Sequence, residues 1–436
     1  MPKNSNDLEE SKDELKELVL NKEEKKDYSS QKFIELEEIV KTFLEKQDST
    51  KALEAVSLWS LKLWSSDIHY DNYEDFTIVR FRIDWVLVDI FKLDKQKYKL
   101  LLERIKHSSN LKLNITNIPQ DWKYKVVVSD NEIDVRVSTL PTPYWENVVC
   151  RVLDSKKAII DFEDLWFIWT TKRMLEKAIK KKNWMILVTW PTGSGKTTTL
   201  YTILSELNTR DKKIITLEDP IEYKLNWIIQ SEVNEKNNYT YELWLKALLR
   251  QDPDIIMLWE IRDANTLNIA TQASLTWHLV LSTLHTKSAA DTLDRIVNMW
   301  LKPYILASSI DTIIAQRLVR KICDKCRVED KKTPEEESLI KGMMKDTGMR
   351  SLSSKNIQIY KWTWCEHCNN SWYKWRIWIY EIITFNEELR NMIREWASVK
   401  EIIDEARKND MITMKEDWIL KALKWYTTIQ EILKVI

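Results

Sequence analysis

The stretch Trp190-Pro191-Thr192-Gly193-Ser194-Gly195-Lys196-Thr197-Thr198 could do chemistry under any fold that presents it. It matches the spacing G-x-x-x-x-G-K-[ST] everywhere except its first position, where tryptophan stands for glycine. An apolar run, Met185 to Thr189, precedes it, and a helix-compatible run follows. This order predicts a phosphate loop whose backbone N–H groups converge at a helix N-terminus. Pro191 to Gly195 would form the cradle, with Thr198 just inside the helix. Lys196 would reach the β- and γ-phosphates of ATP, and the Thr197 hydroxyl would ligate Mg²⁺. The bland alternative is a chance Gly-Lys-Thr turn, which the strand before and the helix after disfavour.

Two further strand ends carry acids. DPDIIMLWE at 252–260 reads as an apolar strand delivering Glu260, placed to orient or deprotonate an attacking water. ITLEDPIEY at 215–223 delivers Glu218, Asp219 and Glu222, which could bind Mg²⁺ through water or simply form a solvated turn. His278 and His285 stand seven positions apart around HLVLSTLH, on opposite faces if the strand is regular. His285, in STLHT, is the candidate γ-phosphate sensor. Cys323-Asp-Lys-Cys326 and Cys365-Glu-His-Cys368 form two C-x-x-C knuckles, a set suited to tetrahedral Zn²⁺ with four thiolates. Their long spacer requires a small subdomain between them. The fifth cysteine, Cys150, reads as a small buried hydrophobe.

Composition makes the tryptophan at 190 part of a wider anomaly. The chain has 436 residues with 4 glycines and 22 tryptophans. Ordinary glycine usage of about 7% would give roughly 30. The two counts together nearly restore that figure. A merely tryptophan-rich protein would not also lack glycine, so the sharper reading is an alternative genetic code, with UGA codons meaning glycine written as tryptophan. Trp184, between AIKKKN and MILVT, stands where a helix gives way to a strand and φ > 0 is expected. Trp122 and Trp425 are read as similar turn or helix-end positions.

These residues need elements to position them. Residues 1–49 read as a charged tail and an amphipathic helix beginning near Phe33, and 50–155 as an α/β domain of short strands and helices. Residues 156–318 alternate apolar strands with helices, the pattern of a doubly wound, mostly parallel sheet. The cysteine pairs fall in 319–383, and 384–436 read as a helical end. Lys+Arg and Asp+Glu each number 67, so no net field recruits nucleic acid. No run reaches the roughly 18 apolar residues of a membrane span, and no signal core opens the chain. The expectation is a cytoplasmic protein.

Taken in order, SSDIHYDNYED, RFRIDW, STLPTPYWENVVCRVLD, VTWPTGSGKTTTLY, ITLEDPIEY, LRQDPDIIMLWEIRDANT, ASLTWHLVLSTLHT and CEHCNNSWYKWRIWIYEI resemble the secretion ATPase superfamily. More narrowly, the chain resembles the type IV pilus assembly and type II secretion ATPases over about 50–436. Tryptophans 85, 145, 190, 259, 277, 372, 375 and 378 fall on glycines of that family. The resemblance implies a phosphate-loop pair at Lys196 and Thr197, a catalytic Glu260, an acidic box at Glu218, Asp219 and Glu222, and a histidine box at His278 and His285. It implies a γ-phosphate contact from Arg80 or Arg82, with Arg250 and Arg262 as secondary candidates. Family members are hexamers with a RecA-like ATPase domain, which the resemblance places at 156–318, and the tetracysteine knuckle marks assembly and secretion ATPases rather than retraction ATPases.

The function implied is a homohexameric motor that hydrolyses ATP with Mg²⁺ to power pilin assembly. It would sit at the cytoplasmic face of the inner membrane through a platform protein and the pilin machinery, without contacting nucleic acid. A type II secretion pseudopilus motor and a DNA-uptake ATPase share the same features. If Trp190 is genuine, the alternative is a catalytically dead structural ring.

Overall fold

The computed structural model describes residues 30–436 except 84–85, 129–130, 154–159, 190–194, 234–240, 300–301, 331–333, 335–336, 339–340, 343–358, 363–364, 366–367, 369–371, 396, 425, 429–430 and 432–436. The expected tail over 1–29 lies outside the described residues. Contacts divide the chain into one unit within 1–155, with which 364–372 groups, and a second from the remainder.

The first unit opens with helices α1 (Ser30–Glu45) and α2 (Ser49–Lys62), the latter capped by the Asp48 side chain on the Lys51 amide. Strands β1 (Asp67–Asn72), β2 (Phe76–Ile83) and β3 (Val86–Asp94) lead to α3 (Lys95–Ser108). Strands β4 (Gln120–Val128), β5 (Asn131–Thr142) and β6 (Trp145–Leu153) complete an antiparallel sheet of order β3-β2-β1-β6-β5-β4. Strict alternation along β2 buries Thr77, Val79, Phe81 and Ile83 on one face, the period of a half-covered sheet. That face packs with Leu36, Val40, Val56, Tyr98 and Leu101 of the helices. Its opposite face carries charge, including Arg80 and Arg82.

The second unit is built on α4 (Trp169–Ile179), β7 (Trp184–Thr189), α5 (Lys196–Leu207), β8 (Ile214–Glu218), β9 (Ile229–Glu232) and α6 (Tyr241–Leu248). Then come β10 (Ile255–Leu258), α7 (Ala264–Leu275), β11 (Leu279–Leu284), α8 (Ala289–Asn298) and α9 (Pro303–Ser309). Its sheet has the order β15-β12-β7-β11-β10-β8-β9, where β12 is Ile310–Ile322 and β15 is Tyr373–Thr384. Every strand is parallel to its neighbour except β15. Both faces are covered, so β8, β10 and β11 are buried throughout and read as continuous apolar runs. Along β7, Met185 and Leu187 enter one core with α7 to α9, while Ile186 and Val188 enter the other with α5. A small ribbon, β13 (Arg327–Asp330) with β14 (Ile359–Trp362), follows, and α10 (Glu387–Arg394), α11 (Val399–Lys408) and α12 (Met414–Leu423) end the described chain. Among the described residues no helix is long and apolar enough to cross a membrane.

The backbone at several tryptophans is unusual. Trp64, Trp145, Trp166, Trp184, Trp227, Trp277, Trp372 and Trp375 all have φ between 59° and 141°. Trp145, at 123°, and Trp184, at 141°, lie beyond the left-handed helical well that Asn and Asp tolerate. Trp184 thus has the backbone expected of it. Trp122 does not: it lies inside edge strand β4, where its partner is Val137. Trp425 and Trp190 lie outside the described residues. Buried Trp59, Trp378 and Trp418 each leave the indole N–H without a hydrogen-bond partner, an uncommon outcome for a buried tryptophan.

Candidate active site

Parallel pairing brings the C-terminal ends of β7, β8, β10 and β11 to one edge of the sheet. Register aligns Leu258 of β10 with Leu217 of β8 and Ser282 of β11, and Leu284 with Thr189 of β7. The described residues that follow these strands therefore gather there: Asp219, Glu260 and His285. Such an edge is where ligands bind in open α/β sheets.

Helix α5 begins beside this edge. Pro191, Thr192, Gly193 and Ser194 lie outside the described residues, but Gly195 is the helix N-cap with φ 79°. That φ favours glycine, and a Cβ there would also crowd Leu318 Cδ1 at 3.1 Å. No side chain caps the first turn, which carries Lys196, Thr197 and Thr198. The uncapped N–H groups and the positive end of the helix dipole suit an anion.

Glu260 is held on both oxygens. His285 Nε2 lies 3.3 Å from Oε1, and Arg262 Nε donates to Oε2 at 3.3 Å. The same guanidinium reaches Asp219 Oδ2 through Nη2 at 3.1 Å. The loops carrying these groups are stitched together. Thr283 Oγ1 donates to the Trp259 carbonyl at 2.5 Å, and the Ile261 amide donates to the Thr283 carbonyl at 2.8 Å. Glu260 is thus fixed between two residues bound to the strand that delivers His285. Thr189 and Thr286 join the end of β7 to the same segment by side-chain and backbone hydrogen bonds.

Glu218 has a different environment from its neighbours. It is fully buried, and its carboxylate accepts from Tyr201 of α5, from Thr216 at 2.6 Å and from Gln230 of β9 at 2.9 Å. Burial pushes its pKa up, while these three donors oppose the shift. Asp219 and Glu222 are partly exposed beyond it. Carboxylates such as these, and the Thr197 hydroxyl, are oxygen donors of the hard kind that Mg²⁺ prefers.

The remaining candidates are dispersed. His278 stands at the opposite end of β11 from His285, where its ring caps the end of α7 through the Ala273 carbonyl and the Thr276 hydroxyl. It therefore does not join the Glu260 cluster. Arg80 pairs with Asp71, and Arg82 Nε lies 3.7 Å from Asp67 Oδ2, both across the β1–β2 ladder. Arg250 is exposed in a short 3₁₀ turn, Leu249–Gln251. The sulfurs of Cys323, Cys326, Cys365 and Cys368 lie within 4.8 Å of one another. Tetrahedral zinc with Zn–S near 2.3 Å needs sulfurs about 3.8 Å apart, so the set fits that ion. Sequence reasoning missed Tyr201, Gln230, Thr283 and the Thr189–Thr286 link. Tyr201 sits in an apolar helix and reads as core, and the others are polar residues given a role only by neighbours distant in sequence.

A family model described as Type II/IV secretion system protein matches residues 45–434. The chain belongs to that family. Among relatives of this secretion system protein, the type II secretion system protein E of Aeromonas hydrophila is 40% identical over 376 residues, covering 86% of this chain and 73% of its own. The type IV pilus assembly ATPase PilB of Pseudomonas aeruginosa is also 40% identical, over 377 residues, 86% of this chain and 65% of its own. Solved structures share the fold. The pilus retraction motor PilT with bound ADP superposes with a TM-score of 0.59 at 24% identity, covering 88% of this chain and 96% of that one. The Yersinia pseudotuberculosis ATPase DotB gives 0.64 at 15% identity, covering 88% and 93%. These structures bear out the expected RecA-like fold, while the four-cysteine cluster and the helical C-terminal segment are seen in this chain's own structure.

Proposed function

We propose that this chain hydrolyses ATP with Mg²⁺ and, as a homohexamer, drives type IV pilin assembly through an inner-membrane platform protein at the cytoplasmic face. The observation that carries the chemistry is Glu260, held by His285 and Arg262 at the sheet edge from which α5 departs. Glu260 orients a water for in-line attack, and its two partners keep it aimed without reorganisation during the reaction. Lys196 and an arginine neutralise charge developing on the transferred phosphoryl group. Arg80 or Arg82 fills that role only after exchanging its present carboxylate for phosphate. Thr197, Asp219 and Glu222 would hold Mg²⁺, which would supply neutralising charge to the phosphates. Zn²⁺ in the four-thiolate set is a structural staple.

The reading includes glycine at Trp190, because an indole at the first turn of a phosphate loop would crowd the bound phosphates. Backbone φ at eight other tryptophans supports the same substitution. Identity of 40% both to a secretion protein E and to a pilus assembly ATPase supports an assembly motor of this general kind. The four-cysteine cluster, a mark of assembly and secretion motors, supports extension over retraction.

Glu260→Gln tests the chemistry. In the full chain carrying glycine at the tryptophan positions, this variant binds ATP as the parent does, and its turnover falls by roughly a hundredfold or more. Hydrolysis at the parent rate would remove Glu260 from its role. Deletion of the gene separates pilus loss from a secretion or DNA-uptake defect.

A further inference from the structure

Glu218 is a buried carboxylate whose three donors come from three different elements. Tyr201 donates from α5, Thr216 from β8 itself and Gln230 from β9. The Gln230 side chain also binds the turn after β8 at two points. Its Nε2 donates to the Tyr223 carbonyl at 2.9 Å, and its Oε1 accepts from the Leu225 amide at 2.7 Å. A carboxylate with three donors already on its two oxygens is satisfied without a metal.

The placement of Tyr201 gives this network a purpose. It lies four residues after Thr197 on α5, so the two share a helix face about one turn apart. Glu218 immediately precedes Asp219. One hydrogen bond therefore joins the element bearing Thr197 to the strand that leads into Asp219.

We propose that Tyr201, with Glu218 and Gln230, is a positioning residue that sets the spacing between Thr197 and Asp219, the two sides of the Mg²⁺ shell. The proposal rests on reading this edge as an Mg²⁺–nucleotide site. The phenol acts through the carboxylate and touches neither nucleotide nor ion. Tyr201→Phe removes the hydroxyl while keeping the ring, whose centroid lies 6.3 Å from that of Tyr223.

The test follows binding of a fluorescent ATP analogue to the full chain carrying glycine at the tryptophan positions, first in EDTA and then across an Mg²⁺ titration. Electron paramagnetic resonance of Mn²⁺ in the ADP complex gives a second readout. In the parent, the divalent ion tightens nucleotide binding. Tyr201→Phe should leave the EDTA affinity within about twofold and raise the half-saturating Mg²⁺ concentration roughly tenfold, the scale on which outer-shell partners act. Gln230→Ala should move it in the same direction. A lowered melting temperature with an unchanged Mg²⁺ midpoint would show that Tyr201 only packs, and would overturn the inference. Absence of any divalent effect in the parent would overturn the reading of the site itself. If Tyr201→Phe does not fold, Glu218→Gln, close in volume, carries the same expectation and the same failure.

Discussion

Glu260 stands between a histidine and an arginine, and the arginine is the more informative partner. Arg262 contacts both Glu260 and Asp219, so its planar fork holds apart two carboxylates that would otherwise repel. Arg262→Gln should lower kcat by about a hundredfold, the cost of misplacing a reacting group by roughly 1 Å, with ATP affinity little changed. Arg262→Lys should recover only part of the rate, because an ammonium cannot hold both partners in the same plane. Steady-state hydrolysis beside equilibrium nucleotide binding checks both variants, and a Gln variant at the parent rate would sink the idea. The neighbourhood of Glu260 and His285 was legible in the sequence because each follows a short apolar strand. Arg262 was legible only as a flanking charge, since its bridge to Asp219 depends on how β10 and β8 lie side by side. The separation of His278 from His285 was hidden for a related reason: a strand's two ends look alike in sequence, but they stand at opposite edges of a parallel sheet.

At the scale of elements, the loop that displays Arg262 is held by the start of α7. Asp263 is the N-cap, accepting from the Thr266 amide at 2.8 Å and from the Thr266 hydroxyl at 2.9 Å. The amide bond, chiefly, holds its carboxyl below the ordinary value of 3.8. A depressed carboxylate stabilises the fold fully above its unfolded pKa and loses that contribution as pH falls through the folded one. Asp263→Ala should therefore cost about 1 kcal/mol at neutral pH, and the gap to the parent should close below about pH 4. Denaturant melts at two pH values measure this, and a gap that persists in acid would exclude the cap as its source. The other elements show why the sequence reading stopped where it did. β7, β8, β10 and β11 are short apolar runs separated by helices, a pattern that points directly to a parallel sheet. β12 and β15 carry no such signal. β12 lies between β7 and β15 and is buried without a break from Ile310 to Gln316, so it shows no alternation. Its partner β15 follows the cysteine knuckles and contains Trp375 and Trp378.

For the whole molecule, the decisive question is which residue the tryptophan positions hold in the native protein. A non-glycine residue in the left-handed region costs roughly 1–2 kcal/mol. The eight tryptophans at positive φ then cost on the order of 8–16 kcal/mol together, which matches the whole stability of a typical domain at about 5–15 kcal/mol. A sum of that size favours a residue without a side chain at these eight positions. The prediction separates sites by conformation, because a general dislike of surface tryptophan would not. In the chain as written, Trp184→Gly and Trp145→Gly should each raise stability by about 1–2 kcal/mol or more, since both relieve backbone strain. Trp122→Gly should be neutral or cost about 0.5–1 kcal/mol, because it loosens a regular strand where φ is ordinary. Equal effects at all three sites would leave strain out of the explanation. Peptide mass spectrometry of protein from its own source then decides the matter at the site that counts, for a phosphate-loop peptide bearing tryptophan at 190 would end the glycine reading, and one bearing glycine would give the loop the first residue that the G-x-x-x-x-G-K-[ST] pattern calls for.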